Sequence, residues 1–270
     1  MKMIVHNIDP VFLDFGIIQI RWYSLAYIFG ILIGWLYGKK ILSKQVSQNH
    51  TKIYVSNYDD LITYIIIGII VGGRIGYILF YNFNFYLENI FEIFKIWKGG
   101  MSFHGGLLGV AISILIFSRK NNLNYMIYFD TVSTVAPIGL FFGRISNFIN
   151  GELYGTPTLK PWGVVFPKID SIARHPSQIY EALLEGVVLF IILNLLVFLR
   201  RNSAGFISCI FLILYGFFRI ICEGFREPDN HIGYILGDYT IGTILSLIMI
   251  LFGLVLFLRV KYTIKNEKNF

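Results

Sequence analysis

The chain has 270 residues, of which 56% are hydrophobic and only 14% charged, and its mean hydropathy is +0.65. A soluble domain carries about a quarter charged residues, so the composition excludes an ordinary soluble globular protein. The net charge of +7 does not indicate nucleic-acid binding, because the basic residues separate apolar runs and do not form one accessible surface. An all-α integral membrane protein is therefore predicted, with the lipid bilayer as its surroundings.

Seven apolar stretches are long enough, or nearly long enough, to cross a bilayer as helices. They lie near residues 18–38, 60–81, 104–118, 127–148, 180–199, 205–222 and 237–258. Because about 20 residues cross the hydrocarbon core, the third stretch is short. Seven transmembrane helices are predicted, with six or eight as the alternatives.

The basic residues set the predicted orientation of these helices. Twelve of the 23 lie on alternate connections. They are Lys39, Lys40, Lys44, Lys52, Arg119, Lys120, Arg200, Arg201, Arg259, Lys261, Lys265 and Lys268. Since positive charge is retained on the cytoplasmic side, the N-terminus is predicted outside and the C-terminus in the cytoplasm. The first apolar run is too long for a cleaved signal peptide and is expected to remain.

Two of the outward connections have a composition that predicts local structure. Residues 84–98 are rich in aromatic side chains with charges at helical intervals, which is typical of an arm lying in the membrane interface. Residues 151–177 hold four of the seven prolines and are predicted to form a small outer cap, too small for a separate domain. Residues 1–270 are thus predicted to form a single polytopic membrane domain. Glycines at every fourth position, Gly68, Gly72 and Gly76 among them, indicate close helix packing.

His104 is the first candidate for chemistry along the chain. It starts the third apolar stretch within GGMSFHGGLLG, where the glycines allow backbone to approach a substrate closely. A histidine in this setting is able to transfer a proton. A hydrogen-bonded structural role is the alternative interpretation.

The end of the fourth apolar stretch reads GRISNFINGELYG, from Gly143 to Gly155. Arg144 and Asn147 are three residues apart and so share a helical face. The guanidinium group of arginine presents a fork of donors that matches phosphate oxygens. The sequence therefore indicates a phosphate site near Arg144, while a side chain that merely reaches to the interface is the alternative.

The sixth apolar stretch contains a polar stripe of Tyr215, Arg219, Glu223 and Arg226. Their spacing places all four within about 80° of one helix face. Ionisable residues within a span are costly, so the stripe indicates a functional site. An Arg219–Glu223 ion pair that only closes the bundle is the alternative.

The predicted topology brings these clusters to the outer face of the membrane, together with Tyr23 at the start of the first span. The chain contains no zinc-protease motif, no phosphate-binding nucleotide loop and no set of cysteine ligands. Neither a metal nor another cofactor is therefore expected. Outward polar residues embedded in lipid indicate that the protein acts on a lipid phosphate.

Five segments together resemble the bacterial prolipoprotein diacylglyceryl transferase family. They are RWYSLAY, HGGLLG, GRISNFINGELYG, RHPSQIYEALLEG and YGFFRIICEGFREPD, in this order along most of the chain. GRISNFINGELYG is the family's signature in nearly complete form. The resemblance implies transfer of the diacylglyceryl group of phosphatidylglycerol to the lipobox cysteine of a prolipoprotein, with release of glycerol phosphate, at the bacterial inner membrane.

The resemblance also carries functional positions over to this sequence. They are Tyr23, His104, Arg144, Asn147, Glu152, Gly155, Tyr215, Arg219, Glu223 and Arg226. His104, Arg144 and Arg219 are expected to be catalytic, with His104 as the base. Tyr23, Asn147, Tyr215 and Arg226 are expected to bind phosphatidylglycerol beside Arg144. Glu152, Gly155 and Glu223 are expected to orient the site, the two carboxylates by pairing with arginines.

A transporter of lipids or small anions would also place arginines among the spans. Such a protein needs a site that is reachable from both sides, whereas the polar residues here are predicted on one side and no internal repeat is visible. A purely structural membrane scaffold would have no need of the polar stripe. Both alternatives are less well supported than an enzyme.

Overall fold

The computed structural model describes residues 4–16, 19–46, 48–95, 99–199, 203–228, 234–237 and 239–267. The chain is divided into two compact units. The first comprises Met1–Ile41 and Asp130–Phe270, and the second comprises Leu42–Phe129.

The first unit is built from helices and a few very short strands. The strands are β1 (Ile4–Val5), β2 (Val11–Asp14), β3 (Gln19–Arg21), β4 (Val164–Val165), β5 (Ala173–Arg174), β6 (Tyr234–Leu236) and β7 (Tyr239–Thr240). The helices are α1 (Trp22–Gln45, of which residues up to Ile41 belong here), α5 (Tyr125–Asn150, from Asp130), α6 (Ser177–Glu181), α7 (Leu189–Leu199), α8 (Phe206–Glu223) and α9 (Ile241–Glu267). A π-helical turn, Ala182–Val188, joins α6 to α7.

The second unit is built mainly from two long helices. They are α2 (Gln48–Tyr81) and α4 (Phe103–Lys120), and between them lie the short helix α3 (Phe83–Glu88) and a 3₁₀ helix, Ile90–Phe94. These two short helices fall within the predicted interfacial arm at residues 84–98. Residues 96–98 of that arm lie outside the described residues.

Six helices in the described part of the chain are long and apolar enough to cross a membrane. They are Trp22–Gln45, His50–Phe80, Tyr125–Asn150, Ser177–Leu199, Phe206–Glu223 and Ile241–Tyr262. A multi-pass helical membrane protein is thereby confirmed, and the six agree with six of the seven predicted stretches. The short third stretch is helical, as α4, but is not among the six.

The glycine stripe of α2 packs against α4, as predicted. A Cβ atom at Gly72 would lie 2.9 Å from the Cα of Gly109, and one at Gly76 would lie 2.7 Å from the Cα of Gly105. Real Cβ atoms do not approach so closely, so the two backbones meet only because these residues lack side chains.

The core of the first unit lies where α1, α5, α7 and α8 meet. Ile41, Leu189, Leu193 and Ile207 are nearly or completely buried in it. At one end of this core the carboxylate of Asp130 accepts hydrogen bonds from the backbone of Gly205 and Ser208 at 2.7 and 2.8 Å, and so caps the N-terminus of α8.

The predicted cap at residues 151–177 is a compact connection with its own short sheet. Strand β4 pairs parallel with β1 and antiparallel with β5. The buried side chain of Phe166 follows β4, and its ring contacts the ring of His6. The connection is therefore held against the N-terminal segment of the chain.

Candidate active site

Arg144 lies in the last two turns of α5 and forms ion pairs with two carboxylates. Its Nη1 atom lies 2.9 Å from Glu181 Oε2, and its Nη2 and Nε atoms donate to Glu185 Oε2 at 3.0 and 3.2 Å. Its side chain is 14% exposed, and both glutamate side chains are completely buried. The guanidinium fork predicted from the sequence is therefore present, and two glutamates occupy it.

Arg219 on α8 pairs with the same two glutamates. Its Nη1 atom lies 2.8 Å from Glu181 Oε1 and 3.4 Å from Glu185 Oε1. Its Nη2 atom pairs with Glu223 one turn along α8. Arg144 and Arg219 are thus joined through shared carboxylates, which we call the arginine–glutamate cluster: Arg144, Glu181, Glu185, Arg219, Glu223 and Arg226.

The predicted polar stripe of α8 is present, although its last residue, Arg226, lies beyond the end of the helix. The helix ends at Glu223, and Arg226 lies just beyond it in an isolated bridge with Gly155. The Arg226 Nη1 atom still lies 3.7 Å from Glu223 Oε1 and 4.0 Å from Glu181 Oε1. Tyr215 is buried one turn before Arg219, close enough to Arg144 and Glu185 to interact electrostatically.

Glu223 pairs with arginines as expected and also accepts a hydrogen bond from the Thr240 hydroxyl at 2.7 Å. Glu152 has amide partners among the described residues. Its Oε1 atom accepts hydrogen bonds from the side-chain amides of Asn147, at 2.7 Å, and Asn150, at 3.5 Å. The chain turns at Gly151, which has a φ of +70°, and this returns Glu152 toward Asn147. Within the described part of the chain, Glu152 therefore contacts side-chain amides and no arginine.

Gly155 is required by the close approach of three chain segments. A Cβ atom there would lie 2.6 Å from the carbonyl oxygen of Phe225 and would also meet the backbone and side chain of His175. The backbone N–H of Gly155 donates to His175, and that of Thr156 donates to Phe225. The glycine thereby brings the segment after α8, with Arg226, against the segment before α6.

The described contacts do not join Tyr23 directly to the arginine–glutamate cluster. Tyr23 lies at the start of α1, with its ring 5.1 Å from that of Tyr27, and Tyr27 interacts electrostatically with Glu152. His104 is the second residue of α4, in the second unit, and its side chain lies outside the described part of the structure. Its role stays a prediction.

Comparison with known proteins gives the affiliation of the chain. Residues 10–259 match the family model described as prolipoprotein diacylglyceryl transferase. A phosphatidylglycerol–prolipoprotein diacylglyceryl transferase of Rickettsia bellii is 50% identical over 255 residues, covering 94% of this chain and 95% of the relative. The enzyme of the same description from Rhizobium meliloti is 50% identical over 253 residues, covering 92% and 90%.

The chain belongs to the prolipoprotein diacylglyceryl transferase family. The resemblance indicated by the five motifs is thereby confirmed. The match runs through the N-terminal span, both units and the last helix, so every element of the arginine–glutamate cluster lies within it.

Glu181 and Glu185 are the residues of this family member that sequence reasoning missed. Both stand within RHPSQIYEALLEG, and both are 0% exposed. A signal was available, because two carboxylates four residues apart in an apolar span need cationic partners.

A second ionic network lies in the cap. Arg174 pairs with Asp170 at 2.6 Å and with Glu227 at 3.0 Å. The Arg174 guanidinium holds the pKa of Asp170 below its usual value, while burial lowers the pKa of the neighbouring His175. The His175 ring also packs against Phe225, 5.2 Å away. This network fixes the cap beside the segment that carries Arg226.

The described residues include no cluster of three or more histidine, cysteine, aspartate or glutamate side chains placed to hold a metal ion. The expectation of a site without metal or cofactor stays a prediction. Cys209 and Cys222 on α8 are buried free thiols.

Proposed function

We propose that this protein transfers the diacylglyceryl group of phosphatidylglycerol to the thiol of the lipobox cysteine of a prolipoprotein. A thioether forms and glycerol phosphate leaves, which is the first step of lipoprotein maturation. Family membership supports the reaction, and its relatives carry this activity in their names. The observation that carries the proposal is the pair of largely buried guanidinium groups, Arg144 and Arg219, joined through two carboxylates.

The arginine–glutamate cluster suits the bond that breaks. The cysteine sulfur attacks the glycerol carbon that bears the phosphate ester, and the carbon–oxygen electron pair moves to the phosphate. Negative charge therefore grows on the phosphate oxygens as the transition state forms. Arg144 and Arg219 stabilise that charge more than the charge of the bound lipid, which lowers the barrier. Neither acts as a base, since a guanidinium group stays protonated in proteins.

The remaining site residues take supporting roles in this proposal. The cysteine thiol has an ordinary pKa of about 8.5 and loses its proton to His104. Asn147, oriented by Glu152, contributes an amide beside Arg144, and Tyr23, Tyr215 and Arg226 contact the lipid headgroup. Gly155 and Glu223 hold the segment of Arg226 and the side chain of Arg219 in position.

A transfer assay tests this function directly. Purified protein receives phosphatidylglycerol and a synthetic lipobox peptide, with a peptide in which serine replaces the lipobox cysteine as the matched control. The cysteine peptide is expected to gain the mass of one diacylglyceryl group and the serine peptide to gain none. No adduct, under conditions in which another family member reacts, contradicts the proposal.

The proposed topology places the site toward the outer face of the bacterial inner membrane. The protein spans the membrane seven times as one domain, with α4 as the third span, the N-terminus outside and the C-terminus in the cytoplasm. The short length of α4 is compatible with a span because Arg119 and Lys120 end it. The cap then lies outside and the basic turns inside.

Single cysteines test this topology, because the native Cys209 and Cys222 are buried. Lys44→Cys, Arg119→Cys and Leu159→Cys place a thiol at exposed positions. A membrane-impermeant maleimide is expected to label Leu159→Cys in intact cells, and the other two only after permeabilisation. If α4 does not cross the membrane, Lys44→Cys and Arg119→Cys will be labelled from opposite sides.

A further inference from the structure

The formal charges of the arginine–glutamate cluster cancel. Three guanidinium groups face three carboxylates within it. The exposed fraction of the six side chains ranges from 0% for Glu181 and Glu185 to 14% for Arg144. A neutral cluster in a low-dielectric region has no need of a further anion.

A lipid phosphate brings a negative charge into this balanced site. Its oxygens compete for the same donors that Glu181 and Glu185 occupy on Arg144 and Arg219. When a phosphate takes those donors, two buried carboxylates of one helical turn are left with fewer cationic partners. Two like charges in such a site do not both persist, and one carboxylate is neutralised by a proton.

The geometry shows which groups are able to take that proton. Glu181 and Glu185 both contact Nη1 of Arg219, which brings an oxygen of each to the same donor. Glu181 Oε2 lies beside Arg144 but makes no hydrogen bond within the described part of the structure. Glu223, in contrast, also accepts a hydrogen bond from Thr240, which is not a member of the cluster.

Other charged and titratable groups face Glu181 and Glu185 from the neighbouring elements. Arg144 faces the pair from α5, and Arg226 faces it from the segment after α8. From α8 it is faced by Tyr215, Arg219, Cys222 and Glu223. Tyrosine and cysteine are neutral near neutral pH, so neither balances an added anion.

We propose that the Glu181–Glu185 pair takes up one proton when the phosphate of phosphatidylglycerol binds to Arg144 and Arg219. The two glutamates are positioning residues: they hold the guanidinium forks in the lipid-free protein and balance the charge of the lipid when it enters. This inference rests on the proposed function. It makes lipid binding pH-dependent, with affinity falling as pH rises, by up to about tenfold per pH unit for one proton.

Calorimetry tests the proton uptake. Phosphatidylglycerol is titrated into detergent-solubilised protein, without peptide, in two buffers of different ionisation enthalpy, and phosphatidylcholine, whose headgroup has no net charge, is the matched lipid control. One proton taken up per phosphatidylglycerol is expected for wild type. No uptake on binding overturns the proposal.

Variants assign the proton to the pair. Glu185→Gln or Glu181→Gln places a neutral isostere in the cluster, and at least one of them is expected to bind phosphatidylglycerol without proton uptake. Asp130→Asn, which alters a buried carboxylate outside the cluster, and His104→Gln are both expected to keep the uptake. Retention of one full proton in both glutamate variants overturns the proposal, as does its loss in His104→Gln.

A kinetic measurement provides a second readout, which also separates this inference from the proposed function. The KM for phosphatidylglycerol is measured against pH with a saturating lipobox peptide. It is expected to rise with pH in wild type and to be flatter in the glutamate variant that loses the uptake. Normal diacylglyceryl transfer with a pH-independent KM contradicts only the proton uptake. Absence of transfer contradicts the proposed function itself, whatever the calorimetry shows.

Discussion

Arg74 is buried and Arg144 is largely buried within long apolar helices, yet the two arginines have different kinds of partner. Arg74 donates to backbone carbonyl oxygens of Ile93 at 2.9 Å, Gly99 at 2.5 Å and Glu92 at 2.6 Å. Arg144 pairs instead with the side chains of Glu181 and Glu185. Backbone carbonyl oxygens are held in place by the fold, whereas a carboxylate side chain is an anion that a phosphate is able to replace. An arginine in a span is thus a candidate for chemistry only when its partners are themselves ionic and replaceable.

The largest expected effect comes from changing Arg144 or Arg219 to lysine. Lysine keeps the charge but not the planar fork, so the developing charge on the phosphate loses paired donors. A fall in kcat of about a thousandfold is expected for each variant, with normal expression and membrane insertion. Turnover by purified protein measures it. Near-normal activity in either variant would show that the fork at that position is not used.

His104 lies in the same unit as Arg74 but, unlike Arg74, is expected to take part in catalysis. The variant His104→Gln tests that difference. Glutamine keeps hydrogen bonding but is not basic, so kcat is expected to fall by about a hundredfold and to lose its dependence on pH. The pH profile of kcat, with lipid and peptide saturating, measures this. Unchanged rates across the pH range would reject His104 as the base.

Glu185→Ala tests whether the arginines of the cluster depend on their carboxylate partners. Removal of one partner of a buried ion pair leaves an uncompensated charge, and a loss of stability of about 3–5 kcal/mol is expected. Glu185→Gln, which retains hydrogen bonding, is the matched control and is expected to lose less. Thermal unfolding in detergent compares the two. Equal stability of the alanine variant and wild type would mean that Arg144 does not need this carboxylate.

Arg74→Lys is expected to affect stability and not chemistry. A lysine cannot reach all the carbonyl oxygens that Arg74 binds, so a loss of about 1–3 kcal/mol is expected from carbonyls left without donors. The rate per folded molecule should stay within about threefold of wild type, since uniform loss of folded protein leaves the barrier unchanged. A large fall in kcat of Arg74→Lys at normal stability would show that Arg74, like Arg144, takes part in the reaction.

The smallest effect concerns the ionic network of the cap. Arg174 lowers the pKa of Asp170, so this carboxylate stabilises the folded cap above its unfolded pKa of about 3.9. That contribution is lost as pH falls through the lower folded pKa. After correction for the intrinsic pH dependence of amide exchange, the protection of residues 164–174 against hydrogen exchange is expected to fall slightly in acid for wild type, and this dependence should weaken in Asp170→Asn. Identical responses to acid in wild type and Asp170→Asn would show that the Arg174–Asp170 pair does not stabilise the cap.

Part of the arginine–glutamate cluster followed from helical spacing. The spacing of Tyr215, Arg219 and Glu223 places their side chains on one face of α8. In the structure this face is turned toward Arg144. The carboxylates Glu181 and Glu185 have the same kind of signal but stand where α6 passes into a π-helical turn. Regular helical periodicity does not describe the faces of such a turn.

The connections were less predictable than the helices. Strands of two residues, such as Val164–Val165, carry no periodic pattern, and their pairing with Ile4–Val5 joins distant parts of the sequence. The partner of Glu152 depended on the turn at Gly151, which spacing alone does not reveal. Tertiary contacts of this kind need the folded chain.

In the proposed reaction, Arg144 and Arg219 exchange carboxylate partners for the phosphate of a lipid. An experimental structure of the protein with bound phosphatidylglycerol tests it most directly. Phosphate oxygens are expected within about 3 Å of both guanidinium groups, with at least one of the contacts from Arg144 to Glu181 and Glu185 broken. A phosphate bound elsewhere, with Arg144 still paired to both glutamates, would contradict this exchange.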